Sequence, residues 1–351
     1  MARALGEGGC DVTVFCCKSD YPELRAVVVG GVVELVTDER FRKADLLIWH
    51  FGIFYELFNA VVIGSGGAPQ VVCFHNITPK EFLSETSWPL LERSLVQAHL
   101  MAAVDEVWAV SDLNAACARQ FGVAEGAIRT IPLIVDDNPR SRLRDKATEP
   151  INILFVGRFV RSKGVADLLE AVESLRARGE PRFKVALVGN VAFSDDRYLQ
   201  NLRDYIRDKE LEELVEFHGA VDDETLYRFY REAHILAIPS YHEGFCKPVV
   251  EGLRAGCIPI GYASYNLPYV VNGLGRLVKP GDVAALAVAL RDVTAALPTA
   301  LQLPSRASFP LDCGPISIET FEARSELVTR NFERANVSWQ ISERVSGLMP
   351  H

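Results

Sequence analysis

The stretch Tyr241–Tyr262, "YHEGFCKPVVEGLRAGCIPIGY", decides how the rest of the chain is read. It follows the apolar run "HILAIPS" (234–240) and closes with a second one, "CIPIGY" (257–262), with a helical pattern between them. Strand, helix and strand in that order are the unit of a parallel α/β sheet. Pro248 suits the start of the helix, where its missing N–H costs nothing. Glu243 precedes that start and Glu251 sits one turn inside it. Backbone N–H groups around Gly244, Phe245, Cys246 and Lys247 can hydrogen-bond an anion or sugar hydroxyls at such a helix terminus. Glu251 is favoured there by the helix dipole and can accept from a ribose diol, and Glu243 can reach another part of the same ligand. A local alternative is that Glu251 merely caps its helix. Spacing alone does not separate the two.

Working outward, the same rhythm fills both halves of the chain. The second half adds "INILFVG" (151–157), "KVALVG" (184–189) and "VEFHG" (215–219). Between the first two, Val165, Leu168, Leu169, Val172 and Leu175 fall on one helical face. The first half offers "DVTVFCC" (11–17), "DLLIWH" (45–50), "PQVVCFH" (69–75), a run at 105–110 and "IRTIPLIV" (128–135). These are apolar runs without polar alternation, as in parallel strands covered on both faces. The polar stretch "DDNPRSRLRDKATEP" (136–150) reads as a linker. The expected organisation is a domain over 1–140, joined by a helix at 325–351 that packs back on it, and a second domain over 150–322. Each is a doubly wound, Rossmann-like sheet, and ligands of such sheets bind outside the carboxyl ends of the strands. Two of them facing across a cleft give the default site.

Composition narrows the function. The chain has 351 residues, 49% of them apolar and 24% charged, with a net charge of −9. An acidic balance argues against general nucleic-acid binding. No apolar run approaches a membrane span and the N-terminus lacks an apolar signal core, so a cytoplasmic protein is expected. The eight cysteines show no C-x-x-C spacing and read as buried thiols, with neither a disulfide frame nor a metal site. The basic segment "RSRLRDK" within the linker is a candidate for peripheral contact with an anionic membrane, although a solvated linker is the favoured reading.

A second chemical signal lies in "VGRFVRSKG" (156–164), where a strand ends in Gly157 and Arg158 and Lys163 follow before a helix. Arg forks onto two phosphate oxygens, Lys supplies a point charge, and the glycine allows close approach. A solvated basic turn would look the same. Neither a Walker loop nor a G-x-G-x-x-G fingerprint is present, which argues against a P-loop enzyme or a dinucleotide-dependent dehydrogenase.

Together these pieces resemble the family-4 retaining glycosyltransferases of GT-B fold. "EGFCKPVVEGLRAGCIPIGY" resembles their Glu, seven residues, Glu signature, and "GRFVRSKGVADLLEAV" their diphosphate-binding turn and helix. "VEFHGAVDDETLYRFYREAHILAIPS", "GRLVKPGDVAALAVAL", "DEVWAVSDLNAACARQFGV" and "VSWQISERV" follow in the family's order. The resemblance implies a hexose moved from a nucleotide-diphosphate sugar to a glycan, lipid-linked or small-molecule acceptor, without a cofactor or metal. By the same resemblance, Gly157, Arg158 and Lys163 hold the diphosphate and Glu251 the ribose. Val221 and Asp223 border the base, and Gly244, Phe245, Cys246 and Lys247 serve sugar and phosphate. Glu243 contacts the transferred sugar, and His75 in "CFHNITP" contacts sugar and acceptor. The family also has a strand and glycine-rich turn, on the order of 20 residues, before the helix that "ARALGEGGCDVTVFCC" resembles. Their expected lack implies intact nucleotide binding beside weak transfer, or a binding protein derived from such an enzyme.

Overall fold

The computed structural model describes residues 1–19, 26–135, 139–177, 182–191, 194 and 196–349. The chain divides into two compact units, Met1–Ile134 with Phe332–His351, and Val135–Asn331.

In the first unit, β1 (Phe15–Cys16) and β2 (Val27–Val28) pair only with each other, in parallel. A separate parallel sheet runs in chain order through β3 (Leu47–Phe51), β4 (Gln70–Phe74), β5 (Glu106–Ala109) and β6 (Ile128–Thr130). The apolar run at 11–17 therefore forms a ladder over two residues only. Its character reflects packing instead: Phe15 lies edge-on to Phe41, which lies edge-on to Trp49 of β3. One face of the larger sheet is covered by the Ala2–Glu7 and Arg334–Leu348 helices, through Leu5, Val337, Ile341 and Val345 against Val71, Cys73 and Trp108. Phe58, Met101, Ala115 and Ala118 fill the other. Buried Glu106 takes the Trp108 indole N–H at 3.0 Å and pairs with Arg344, which fixes the last helix to the sheet.

The helix expected over 325–351 is two helices, Ile318–Arg330 and Arg334–Leu348, and the first belongs to the other unit. Thr329 explains the break. It is buried, bonds back to the Ser325 carbonyl at 2.8 Å and accepts from Arg140 at 3.1 Å, so its turn stays with the second unit.

The second unit has one six-stranded sheet built from β7 (Ile151–Val156), β8 (Phe183–Val188), β9 (Val215–Gly219), β10 (Ile235–Ile238), β11 (Ile258–Tyr262) and β12 (Arg276–Val278). Its order is β12-β11-β10-β7-β8-β9, and every pair is parallel. The chain winds one way from β7 to β9 and the other way from β10 to β12. The reversal lies between β7 and β10, and their carboxyl ends border the crevice where such sheets take ligands. Leu168, Leu169, Val172 and Leu175 are buried on the Val165–Ala177 helix, each stabilising the fold by about 1.5–3 kcal/mol relative to exposure.

Two expectations are corrected here. The Val283–Gln302 helix is long and apolar enough to cross a membrane by length and composition, contrary to the reading of the runs, and it packs on the Val165–Ala177 helix with Leu286, Leu290, Val293 and Leu297 fully buried. The stretch read as a linker belongs to the second unit over its described residues 139–150. Leu143 is buried, Arg144 pairs with Glu322, and Lys146 donates to the carbonyls of Tyr230 and Ala233. Three cations of the basic segment thus have partners inside the fold, because Arg140 bonds Thr329 as well.

Candidate functional site

The turn after β7 is fixed by backbone contact. Arg161–Lys163 forms a single 3-10 turn ended by Gly164 at φ 62°. A Cβ on Gly164 would lie 2.0 Å from the Pro239 carbonyl oxygen, so no other residue fits. The Tyr241 N–H donates to the Ser162 carbonyl at 2.8 Å. The turn is thereby docked on the chain leaving β10. Beside it, the Gly157 N–H donates to Val188 and the Gly189 N–H to Gly219. A Cβ on Gly189 would meet the Gly157 oxygen at 1.8 Å. Gly189 was not among the expected site residues, yet three successive strand runs, "INILFVG", "KVALVG" and "VEFHG", each end in glycine. That shared ending was the available signal.

At this switch point two of the expected residues meet. Lys163 Nζ lies 2.6 Å from Glu243 Oε1, and the carboxylate is buried. Cys246, at φ 73°, supplies the left-handed step into the Lys247–Arg254 helix, a conformation unusual for a residue other than glycine. Burial, then the Glu243 carboxylate, pushes its thiol well above the ordinary range, so it stays protonated. Asn266 supports the loop, its amide donating to the Phe245 carbonyl at 3.3 Å. Beneath it, the hydroxyls of Tyr241 and Tyr262 both donate to Asp167 at 2.5 Å. Burial and this carboxylate push Tyr241 up to about 12.

Glu251 Oε2 accepts from the Tyr230 hydroxyl at 2.8 Å, and burial followed by this carboxylate raises Tyr230 well above its usual range. Glu251 lines a pocket of about 290 Å³ with Pro139, Glu224, Tyr227, Arg231 and Arg254. The expected residues thus fall into two groups, the Lys163–Glu243 pair and the Glu251 pocket. Arg158 is solvent-exposed. Val221 and Asp223 lie where the chain after β9 enters the Asp223–Glu232 helix, capped by Asp222. Among the described residues, no hydrogen bond or ion pair joins these three to Lys163 or Glu243.

In the first unit, His75 follows β4, and its N–H donates to the Phe51 carbonyl at 2.7 Å. Its Nε2 lies 2.9 Å from Nδ1 of His50, at the end of β3, with the rings stacked at 16°. Burial lowers the pKa of His75. The protein packed around the His50 ring, then His75 and the N-terminal ammonium, lower that of His50 to about 4, although the residue keeps exposed surface. The next turn is held by Asn76, at φ 78°, whose amide donates to Asn114 at 2.7 Å. Sequence reading found His75 and missed His50.

Residues 139–303 match the family model Glycosyl transferases group 1. That match falls within the second unit. The chain is 26% identical to the amylovoran biosynthesis glycosyltransferase AmsK of Erwinia amylovora, over 70% of this chain and 60% of that protein. It is 29% identical to the O-antigen chain mannosyltransferase B of Escherichia coli, over 38% of this chain and 34% of that one. It therefore spans less than two thirds of either relative. Among solved structures it is similar to the sucrose-phosphate synthase of Thermosynechococcus elongatus, with a TM-score of 0.73 at 19% identity, covering 99% of this chain and 91% of the other. HepE of Anabaena, solved with UDP-glucose, gives 0.67 at 19% identity, over 90% and 82%. With two parallel α/β units, these likenesses establish a GT-B fold of Rossmann-like domains.

Proposed function

We propose that the chain is a retaining, family-4-like hexosyltransferase, which takes a nucleotide-diphosphate sugar in its second unit and passes the hexose to a glycan, lipid-linked or small-molecule acceptor. The Lys163–Glu243 pair carries this reading: two residue groups 80 positions apart meet at the point where ligands of such a sheet bind. In this scheme Lys163 and Arg158 answer the charge of the departing diphosphate with helix N–H groups, and no metal is needed for that task. Phosphate competes with Glu243 for Lys163, which frees the carboxylate to meet the sugar as positive charge develops at its anomeric carbon. Glu251 and its pocket take the ribose, and His75 serves the acceptor on the first unit. UDP-glucose is a reasonable first probe, since HepE was solved with it.

Arg158→Ala and Lys163→Ala are each expected to weaken a nucleoside diphosphate about tenfold or more while leaving the bare nucleoside within about twofold. Equal losses for both ligands in calorimetry would remove the phosphate role. Nucleotide-sugar binding with weak transfer is a second reading, favoured by the division of the first unit's strands between two ladders. Mass spectrometry of donor turnover separates the two.

A further inference from the structure

We propose that His50 is a positioning residue, which ties the tautomer of His75 to its own and gives its proton a route to water. The significance of this for transfer rests on the proposed role of His75, whereas the lock itself stands on geometry. Both residues end neighbouring parallel strands, and Gly52 keeps the corner narrow, since a Cβ there would sit 3.2 Å from that of His75. At 2.9 Å between Nδ1 of His50 and Nε2 of His75, one proton and only one can lie in the contact.

The consequence is a strict coupling. When the shared proton belongs to His75 Nε2, its Nδ1 is bare and able to accept, and neutral His50 must carry its other proton on Nε2. When the shared proton belongs to His50 Nδ1, both neutral rings carry their protons on Nδ1, and His75 becomes a donor. The two rings therefore always share one tautomer. A hydroxyl proton taken up at Nδ1 of His75 displaces the Nε2 proton onto Nδ1 of His50, and His50 Nε2 releases one to water. One proton enters and one leaves, and both rings change tautomer together. Loss of the Nδ1 proton of His75 to an acceptor, with the shared proton returning to His75 Nε2 and one from water reaching His50 Nε2, resets the pair. The depressed pKa values of both rings suit this role, because neither holds a second proton near neutral pH.

The test uses the full chain labelled with 15N-histidine, whose seven histidines can be assigned by substitution. Long-range nitrogen–proton correlations at neutral pH should show His50 and His75 in the same tautomer. His50→Phe keeps a ring but removes the bond, so the tautomer balance of His75 should change. His50→Gln restores a hydrogen-bonding group and should recover part of the lock. Opposite tautomers in the parent protein, or a His75 spectrum unchanged in His50→Phe, would overturn the proposal. If His50→Phe fails to fold, the parent spectrum and His50→Gln decide. The readout needs no donor or acceptor, so failure of the glycosyltransferase reading leaves it standing. Where turnover is observed, His50→Gln should slow it roughly tenfold or more, with donor KM within about twofold.

Discussion

The two units use the same parts to different effect. The second has a parallel ladder of six strands beside a short antiparallel pair, Ser308–Phe309 with Ile316–Ser317, and the first has a parallel ladder of four beside a short parallel pair. The glycines follow the same division. In the second unit Gly164, Gly189 and Gly261 have backbone oxygens within 2.0 Å of where a Cβ would stand, whereas Gly6, Gly9, Gly66, Gly67 and Gly126 of the first have nothing within 4 Å. The wider ladder and the closest backbone approaches go with the unit that holds the Lys163–Glu243 pair.

Hydrogen exchange should break or sharpen that contrast most sharply. Amides of β7, β8 and β10 are expected to exchange at least about a thousandfold more slowly than those of β1 and β2, since protection runs from near zero to the global stability. Comparable protection in β1 and β7 would show that the two ladders of the first unit behave as one. Glycine substitutions come next. Gly189→Ala is expected to destabilise the second unit by roughly 4 kcal/mol or more, by forcing two backbones apart. Gly66→Ala, at φ 89° with open space around it, should cost only about 1 kcal/mol. Similar melting shifts for the two would contradict the difference in packing.

A smaller effect is the response of the second unit to pH. His234 is buried between the Asn152 N–H, which donates to its Nδ1 at 3.0 Å, and the Ala147 carbonyl at 2.7 Å, and burial lowers its pKa to about 4. A depressed histidine pKa means that the unfolded chain binds the proton first. Stability is thus complete above the unfolded value of about 6.5 and is lost as pH falls from there to about 4, by up to roughly 3 kcal/mol. Denaturation of the parent and of His234→Asn over that range should differ in slope. Parallel curves would mean that His234 does not titrate as its burial demands.

What was legible in the sequence follows the same line. The runs at 151–157, 184–189, 234–240 and 257–262 read correctly because strands covered on both faces are largely apolar, and the run at 215–219, an edge strand with Glu216 and His218 exposed, is the exception. The run at 11–17 was over-read: none of its residues is buried, and only Phe15 and Cys16 pair with a neighbouring strand. "RSRLRDK" looked like solvated linker because its partners, Glu322 and Thr329, lie 178 and 189 residues along the chain. Lys163 and Glu243 were each visible as charge beside a strand end, but their meeting required the sheet order. His50 was hidden similarly, although "DLLIWH" and "PQVVCFH" both close in histidine and neighbouring parallel strands place such endings side by side.

The central claim is that the second unit binds a nucleotide diphosphate with Glu251 on its ribose. Titration of the full chain with UDP and GDP by calorimetry, for the parent and for Glu251→Gln, tests it most directly. The substitution should weaken the preferred nucleotide by roughly 1–3 kcal/mol, about the strength of a hydrogen bond to a charged group, with the fold retained. Unchanged affinity would contradict the ribose role and leave Glu251 a structural partner of Tyr230.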